Sequence, residues 1–558
     1  MNMSVNNKIT TILNKQSSLE IKFKDNFFNG LHTLLNGNYK KYNLTNNIIT
    51  DKTNKISLVD DDFQKTLSKL NEKSSKRKQN GVYYTPTDIA KFIISNSLAV
   101  FLVKNIKKTY STTDAIKLLS SESNKVNQII FKTSIIDPTC GTGEFISIAL
   151  DIKLQLLEKF IKYTDNDLLN VAKTIFGNDI DDESVDIAKI RLYFKIACLL
   201  KEKGSFQKLS LILNKNFFVK DFICQEKPFN MSFDIIIGNP PYVEYGKFED
   251  KKNLQNDFGN IYADAIKNSL LILKPNGVLG FIIPLSYVST GRMSRIRKIV
   301  ADTTSKEFIL SFADRPSCLF EGVHQKLNIL IAKKEKAEHK IYTSNYKHWS
   351  SNERLELLNH REVILNHYCL DQYIPKIGNN VEKNIFDKIF AIKNAPTIYS
   401  LQIAPTNNPI YLNMRACFWV KAFSFNPGSN EYKPFYYSED NRYFILCLLN
   451  SSLFWLYWTI TSDCWHITKK DLDFFRIPQK LKDGKMYEKL AKKLELKLEK
   501  TKRFIGSKQT EYEYKHKLCK DVIDEIDDIL AVDYKLSKSE VKYIKNFALK
   551  YRLGIYEK

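Results

Sequence analysis

The sequence predicts a doubly wound α/β core, a mostly parallel sheet with helices on both faces, followed by a mixed α+β C-terminal part. Three observations carry the prediction. Over residues 81–335 short β-branched runs alternate with stretches of helical periodicity, the pattern of successive strand–helix units. The run Ile135-Ile136-Asp137 meets Gly141-Thr142-Gly143 and opens a helix, as ligand-binding strand ends do. The run Phe233-Asp234-Ile235-Ile236-Ile237 suits a strand buried on both faces and stops at Gly238-Asn239-Pro240-Pro241-Tyr242. Two consecutive prolines donate nothing to a sheet ladder, so the chain leaves the sheet there. Asn239 and Tyr242 are thereby held on a stiff loop at a carboxyl strand end, the edge where open α/β sheets bind ligands.

A chain of 558 residues with 43% hydrophobic content is expected to fold as several globular domains. Lys plus Arg number 85 against 62 Asp plus Glu, a formal charge of +23, which favours a polyanionic partner, nucleic acid before membrane. The 9 cysteines include no Cys-x-x-Cys pair, which argues against a zinc site and a disulfide framework; a reducing compartment fits and no metal is expected. No apolar run follows the first residues, so no signal peptide is expected. The longest uncharged apolar stretch, Tyr443 to Ile460, is broken by Asn450-Ser451-Ser452 and reads as a buried helix and turn rather than a membrane span.

In chain order, residues 1–80 are rich in Asn, Lys and Ser. Leu13, Leu19, Phe23, Phe27, Phe28, Leu31 and Leu34 recur near helical spacing, so a helical extension is expected, with residues 72–80 as a charged linker. Glu20-Ile21-Lys22 is a lone Glu-x-Lys with no preceding Asp to share a metal, so a fused nuclease is disfavoured. Gly81-Val-Tyr-Tyr84-Thr85-Pro86 then precedes a helical run from Thr87 to Phe101; Pro at a helix mouth marks its start, and helix N-termini attract carboxylates. A helix cap is the plain alternative.

Asp137-Pro-Thr139-Cys-Gly141-Thr-Gly143-Glu144 follows, with glycines that let backbone N–H groups approach a ligand. Ile175-Phe-Gly-Asn-Asp179-Ile-Asp181 places an acid after the next strand, suited to ribose hydroxyls; Asp181 is the alternative, or else a helix cap for the helix Ser184–Leu200. Phe217-Phe-Val-Lys-Asp221-Phe222 precedes the Pro-Pro strand. Leu270–Gly277 closes a helix, Val278–Pro284 is another buried strand, and Arg292, Arg295, Arg297 and Lys298 mark a basic helix. Cys318-Leu-Phe320-Glu-Gly-Val-His-Gln325 leads into the strand Leu327–Ala332, and Ile341–Tyr346 closes the core.

Asn-Pro-Pro-Tyr has its own chemistry. The Asn239 side-chain oxygen and the Pro240 carbonyl are two uncharged acceptors that together take both hydrogens of an exocyclic amino group. Held out of the ring plane, that nitrogen approaches the tetrahedral geometry in which it attacks an electrophile, so the contact favours the transition state. Tyr242 offers a face on which a planar base stacks. A strand-end turn with a structural Pro-Pro is the bland alternative.

The order Gly-x-Tyr-Tyr-Thr-Pro, Asp-Pro-x-x-Gly-x-Gly, an acid after strand two, an Asp after strand three and Asn-Pro-Pro-Tyr resembles the gamma group of DNA adenine-N6 methyltransferases, of the TaqI and Eco57I kind. Residues 81–335 match motif by motif, the C-terminal part only in outline. The resemblance implies a Rossmann-like S-adenosylmethionine-dependent methyltransferase core. It implies that Tyr84, Thr85, Asp137, Thr139, Gly141, Gly143 and Glu144 hold the methionine end of the cofactor, Asp179 its ribose, and Asp221 with Phe222 its adenine. It further implies that Asn239, Pro240, Pro241 and Tyr242 form the catalytic loop and that Phe320 covers the other face of a flipped adenine, a core phenylalanine being the alternative there. The insert Val243–Gly259, with Lys247, Lys251 and Lys252, reads as a DNA-contacting loop or an ordinary solvated one.

Beyond residue 348 the strand–helix alternation stops. Residues 395–480 are aromatic-rich with short strands expected at Ile410–Leu412, Cys417–Phe423, Phe435–Tyr437 and Leu448–Trp455, and resemble the specificity domain of TaqI-like enzymes. His466, beside Trp465, suits a core or DNA-stacking role better than catalysis. Tyr487, Leu490, Leu494, Leu498 and Ile505 mark one amphipathic helix and Tyr514–Ala531 a second, a hairpin against the reader with a dimer interface as the alternative. The expected division is 1–80 helical extension, 81–348 catalytic, 349–480 target recognition and 481–558 helical. The expected function is a monomeric, site-specific, double-stranded-DNA adenine-N6 methyltransferase. It would act on the nucleoid in a bacterial or archaeal cytoplasm, in restriction–modification or phage defence, beside a separately encoded restriction endonuclease. An RNA or release-factor amino-methyltransferase and a non-catalytic DNA-binding specificity subunit are the alternatives.

Overall fold

The computed structural model describes residues 18–20, 24–36, 55–57, 85–225, 229–248, 258–320, 322–359, 361–368, 373–392, 394–478, 484–506 and 511–556. The main sheet has nine strands: β1 (Ile135–Asp137), β2 (Ile175–Asp179), β3 (Phe217–Val219), β4 (Phe233–Gly238), β5 (Leu273–Pro284), β6 (Lys306–Phe312), β7 (Leu327–Lys333), β8 (Lys340–Lys347) and β9 (Ile364–Asn366). They are ordered β3-β2-β1-β4-β5-β7-β6-β8-β9. From β3 to β5 all neighbours are parallel. β7 is antiparallel to both β5 and β6. The described residues of 313–326, which join β6 to β7, contain no helix, and a return without a crossover helix lays strands antiparallel. The sheet does not stop with β8: β9 adds an antiparallel edge strand beyond residue 348.

Both faces of this sheet are covered, as the unbroken apolar runs require. Ile235 and Ile237 of β4 join one buried cluster with Ile135, Val278 and Ile282, under the helices α1 (Thr87–Leu102), α2 (Glu144–Phe160) and α3 (Asp182–Ala197). Ile236 and Phe233 point to the opposite cluster with Ile136, Leu279 and Phe281, under α4 (Ile261–Ile272). The period of two along a strand separates Ile236 from Ile235 and Ile237, and the register shift between Phe233 and Ile235 turns Phe233 to the face of Ile236. On the first face the N-terminal helix Lys24–Leu34 buries Phe27, Leu31 and Leu34, and the Tyr193 hydroxyl donates to the Phe27 carbonyl at 2.8 Å. That helix is thus packed into the core. Most of residues 1–84, including the linker 72–80, the pair Ile21-Lys22 and Tyr84, lie outside the described residues.

The second cluster continues without a break into the C-terminal part, where it takes in Trp455, Leu490, Val522 and Ile526. There β10 (Ile410–Asn413) pairs antiparallel with β11 (Ala422–Phe423) and β12 (Tyr432–Phe435). The stretch Leu448–Trp455, expected as a strand inside a longer run also read as a buried helix and turn, takes the second form: it is the meeting of helices α5 (Glu439–Asn450) and α6 (Ser452–Thr461), bent by 67°. Ser451 makes the break: its hydroxyl accepts from the Phe454 amide at 3.0 Å, and Asp527 Oδ1 accepts from the Ser452 amide at 2.9 Å. Among the described residues no single helix is long and apolar enough to cross a membrane, and Trp455 and Trp458 of the bent pair are buried in the protein. The amphipathic helix is α7 (Gly484–Thr501); Ile505 lies beyond its end and is exposed. The second helix, α8 (Lys520–Asp533), starts six residues later than the expected Tyr514 and is followed by α9 (Lys538–Asn546). Arg552 closes the arrangement, its guanidinium 4.0 Å from the Trp419 ring centroid and 4.4 Å from that of Trp455.

The seam between sheet and C-terminal part holds buried titratable groups. His348 follows β8, and its Nδ1 lies 3.0 Å from the Arg315 carbonyl oxygen. Burial pushes its imidazole down to about 4, from 6.5, and that of His516 to about 3. The unfolded chain takes up these protons near pH 6.5 and the folded protein only near 4 and 3, so the stability from neutral rings is complete above pH 6.5 and is lost as pH falls. Glu382 works in the opposite sense: burial raises its carboxyl to about 7, so its contribution is fullest below pH 4.5 and declines as pH rises toward 7. Subtracting the urea-unfolding free energy of His348→Gln from that of the wild type cancels the Glu382 contribution. The difference is expected to shrink by up to about 3 kcal/mol between pH 6.5 and 4. A pH-independent difference would count against the assignment.

Candidate functional site

The strand order reverses between β1 and β4. From β1 the chain steps outward to β2 and β3, then returns to β4 on the other side of β1. Their connections diverge and leave a crevice at the carboxyl ends. Asp137 ends β1 and Gly238 ends β4, and they meet across it: a Cβ on Gly238, at φ +154°, would stand 2.6 Å from Asp137 Oδ1. Only glycine lets the Asn-Pro-Pro-Tyr loop leave its strand this close to that carboxylate.

Asn239 follows, half-buried, and its Nδ2 donates to Thr85 Oγ1 at 3.0 Å. Thr85 is buried and immediately precedes Pro86 and α1. Two motifs far apart in sequence are thus joined at one point. The Tyr242 hydroxyl donates to the Ile282 carbonyl at 2.8 Å, and its ring meets Tyr262 in a T-shaped pair, 6.4 Å between centroids and 90° between planes. One step further on, the Tyr245 hydroxyl donates to the buried Asp264 carboxylate of α4 at 2.5 Å, anchoring the end of the loop.

Asp137 Oδ1 accepts the Thr139 amide at 3.0 Å. Burial, above all, and secondarily the Asp179 carboxylate push its pKa well up, while the Thr139 amide pulls the other way. Asp179 Oδ2 accepts the Gly141 amide at 2.7 Å, so the strand-two acid grips the glycine loop. Asp181 is the cap of α3, accepting from the Ser184 amide at 3.1 Å, which separates the two acids left open by sequence. Gly143, at φ +86°, starts α2, where a Cβ would stand 2.9 Å from the Ala188 Cβ. Asn178, wholly buried, ties Pro138 and Lys220 together through Nδ2 at 2.8 and 3.0 Å. Asp221 Oδ1 accepts from the Ile223 and Cys224 amides, both at 2.9 Å, which folds the turn after β3.

Three expected ligand contacts have other partners. Glu144 is buried; its Oε1 accepts from the Thr87 hydroxyl at 2.9 Å and its Oε2 from Arg191 Nη2 at 2.8 Å. It joins α1, α2 and α3 rather than facing the crevice. The Phe222 ring is 2% exposed and packs at 6.1 Å and 32° on Phe229, so it is a core side chain and not an open stacking platform. Phe320, also 2% exposed, lies in one cluster with Leu319, Leu327 and Trp349, the core alternative for that residue. What the loop 313–326 presents instead is charge: Arg315 and Lys326 lie 5.1 and 4.9 Å from the Trp465 ring centroid. His466, beside it, is exposed and held by Asp463 Oδ2 at 2.8 Å. Lys251 and Lys252 lie outside the described residues. Arg191, Thr87 and Asn178 were missed by sequence reasoning; an arginine inside the apolar face of a helix and an asparagine inside a buried strand were the available signals.

The crevice fits a cationic, nucleotide-like ligand. Positive charge relieves both the burial and the like-charge effects on Asp137. The position a Gly141 side chain would fill, at φ +51°, is open space within 4 Å.

The profile of the Eco57I restriction-modification methylase family matches residues 173–318. The type II methyltransferase M.BstVI of Geobacillus stearothermophilus is 25% identical over 212 residues, 35% of this chain and 36% of that protein. The type II methyltransferase M.PaeR7I of Pseudomonas aeruginosa is 24% identical over 208 residues, 34% of each chain. Among solved structures, the ATP-dependent Type ISP restriction-modification enzyme LlaBIII bound to DNA is similar with a TM-score of 0.45 and 13% identity, over 88% of this chain and 45% of that one. The chain thus spans about a third of the length of the curated relatives it matches.

Proposed function

We propose, for a chain whose residues 173–318 fall in the Eco57I restriction-modification methylase family, that it is a site-specific DNA adenine-N6 methyltransferase using S-adenosylmethionine. The observation that carries the proposal is the Asn239–Thr85 hydrogen bond beside Asp137 at the strand-order reversal. When bound, the cofactor supplies an electrophilic methyl on a sulfonium. Asp137 would accept from its ammonium group and Asp179 from its ribose hydroxyls, and the Gly141–Gly143 loop would offer backbone N–H groups. The Asp221 turn borders its adenine.

The chain's own part in the reaction is orientation. The enzyme extrudes one adenine from the duplex, because its amino group is out of reach inside the stack. Asn239 Oδ1 and the Pro240 carbonyl accept its two N–H groups and favour the pyramidal nitrogen. Pro240 and Pro241 keep those acceptors from rotating. The Tyr242 ring, fixed through its hydroxyl and Tyr262, receives one face of the base. No prior deprotonation is needed, since the nitrogen lone pair attacks: the new N–C bond replaces the sulfonium's S–C bond, and the cationic nitrogen then loses its surplus proton to solvent. Residues 349–480 read the target sequence, while the cations Arg315 and Lys326 at the seam with Trp465 meet phosphates, contacts that position but do not specify. We assign it to restriction–modification or phage defence in a bacterial or archaeal cytoplasm, a setting in which a separately encoded restriction endonuclease would cut the unmethylated target.

The test is transfer of tritiated methyl from S-adenosylmethionine to duplex DNA, RNA and protein in parallel, with digestion to nucleosides. N6-methyladenine from DNA is the expected product. Label confined to RNA or to a release factor would refute the DNA assignment. Absence of cofactor binding by isothermal titration would identify an inert specificity subunit.

A further inference from the structure

An asparagine amide has two unlike arms, a carbonyl that accepts and an NH2 that donates. Only one orientation of Asn239 serves a substrate amino group: the carbonyl must face it, since an NH2 there would set donor against donor. Asn239 Nδ2 donates to Thr85 Oγ1 at 3.0 Å, which leaves Oδ1 on the arm away from Thr85. We propose that Thr85 is a positioning residue for the methyl-transfer step, holding the Asn239 amide in the orientation that presents its oxygen to the target amine. This rests on the methyltransferase reading above and assigns Thr85 a role beyond the cofactor contact that the sequence motif implies.

The support for Thr85 is stiff. Its side chain is β-branched and 4% exposed. Pro86 follows directly at φ −58°, and the next residue, Thr87, is tied to Glu144 at 2.9 Å. Glu144 in turn is fixed by Arg191 at 2.8 Å. The hydroxyl is thus carried by a segment locked to three helices, whereas the Asn-Pro-Pro-Tyr loop comes from a strand end 154 residues away. A threonine hydroxyl donates as well as accepts, so Thr85 alone does not distinguish the two orientations of the amide. The target amine breaks that symmetry, because the flipped amide turns its donors toward the substrate's donors and leaves both unpaired. Thr85 accepts in the productive arrangement and removes the freedom of the side chain to turn.

The two roles separate in kinetics. A residue that only binds cofactor changes the affinity for S-adenosylmethionine and leaves the rate at saturation intact; one that orients Asn239 changes the rate at saturation. Thr85→Val keeps the shape and removes the hydroxyl. With saturating cofactor and duplex DNA, kcat is expected to fall about ten- to hundredfold, the cofactor Kd by titration calorimetry to change less than about threefold, and Thr85→Ser to recover most of the rate. Thr85→Ala serves the same comparison if the valine variant does not fold. A raised cofactor Kd with unchanged kcat would overturn the positioning role and leave the enzyme's function standing. A wild-type protein that binds cofactor but transfers no methyl to DNA would overturn the function itself.

Discussion

Asn239→Ala is expected to reduce methyl transfer to DNA by about 10³-fold, with cofactor and DNA affinities within severalfold of wild type. The substitution removes the group that Thr85 holds and, on the proposed function, one of two acceptors for the substrate amine. It leaves intact the loop's remaining anchors, the Tyr242 hydroxyl on Ile282 and the Tyr245 hydroxyl on Asp264. Asn239 is half-buried, and truncating it takes a partner from the buried Thr85 hydroxyl, so the unfolding free energy is expected to fall by about 1–3 kcal/mol, too little to unfold the enzyme at assay temperature. Loss confined to the rate separates a group acting on the reacting nitrogen from one that shapes the loop. The measurement is single-turnover methylation with enzyme in excess, beside calorimetry for the cofactor and gel-shift titration for DNA. Activity within tenfold of wild type would remove Asn239 from the reaction and, with it, the assignment of this crevice.

Arg191→Ala is expected to cost about 3–5 kcal/mol of stability. Its side chain is 2% exposed and pairs with a Glu144 side chain that is 9% exposed. Removing the cation leaves a buried carboxylate that still accepts from the Thr87 hydroxyl. A pair taken out together behaves differently: Arg191→Met with Glu144→Gln leaves no uncompensated charge and should recover most of the loss. Urea unfolding of the two single variants and the double variant closes the cycle. A loss below about 1 kcal/mol for Arg191→Ala would show that Glu144 finds another partner, and would return it to consideration as a cofactor contact. The same experiment bears on Thr85, because Glu144 fixes the segment that carries it.

Much of the core was legible because its signals are local. The β-branched runs at 135, 175, 217, 233, 278, 327 and 341 are all strands, and the Gly-x-Gly and Pro-Pro turns end theirs where steric rules require. Glycines 143 and 238 show why those turns tolerate no side chain, a reason found only in the neighbours Ala188 and Asp137. The C-terminal part was harder. Leu448–Trp455 is buried throughout, and a fully buried run has no period to separate strand from helix; the polar break Asn450-Ser451-Ser452 and the carboxylate of Asp527 settle it as two helices. The helix Lys538–Asn546 went unread because its stripe is narrow, with Ile544 its one buried apolar side chain.

By itself the chain order determined a strand–helix alternation, the places where strands must end, and the residue types held at those ends, since these follow from backbone sterics and side-chain periodicity within a few residues. Tertiary structure alone decided partnership: that Asn239 meets Thr85, that Glu144 is taken by Arg191, and that Phe222 and Phe320 lie inside the core. Hydrogen bonds and burial are properties of pairs distant in sequence, and local pattern is silent about which of two chemically suitable neighbours lies within three ångströms.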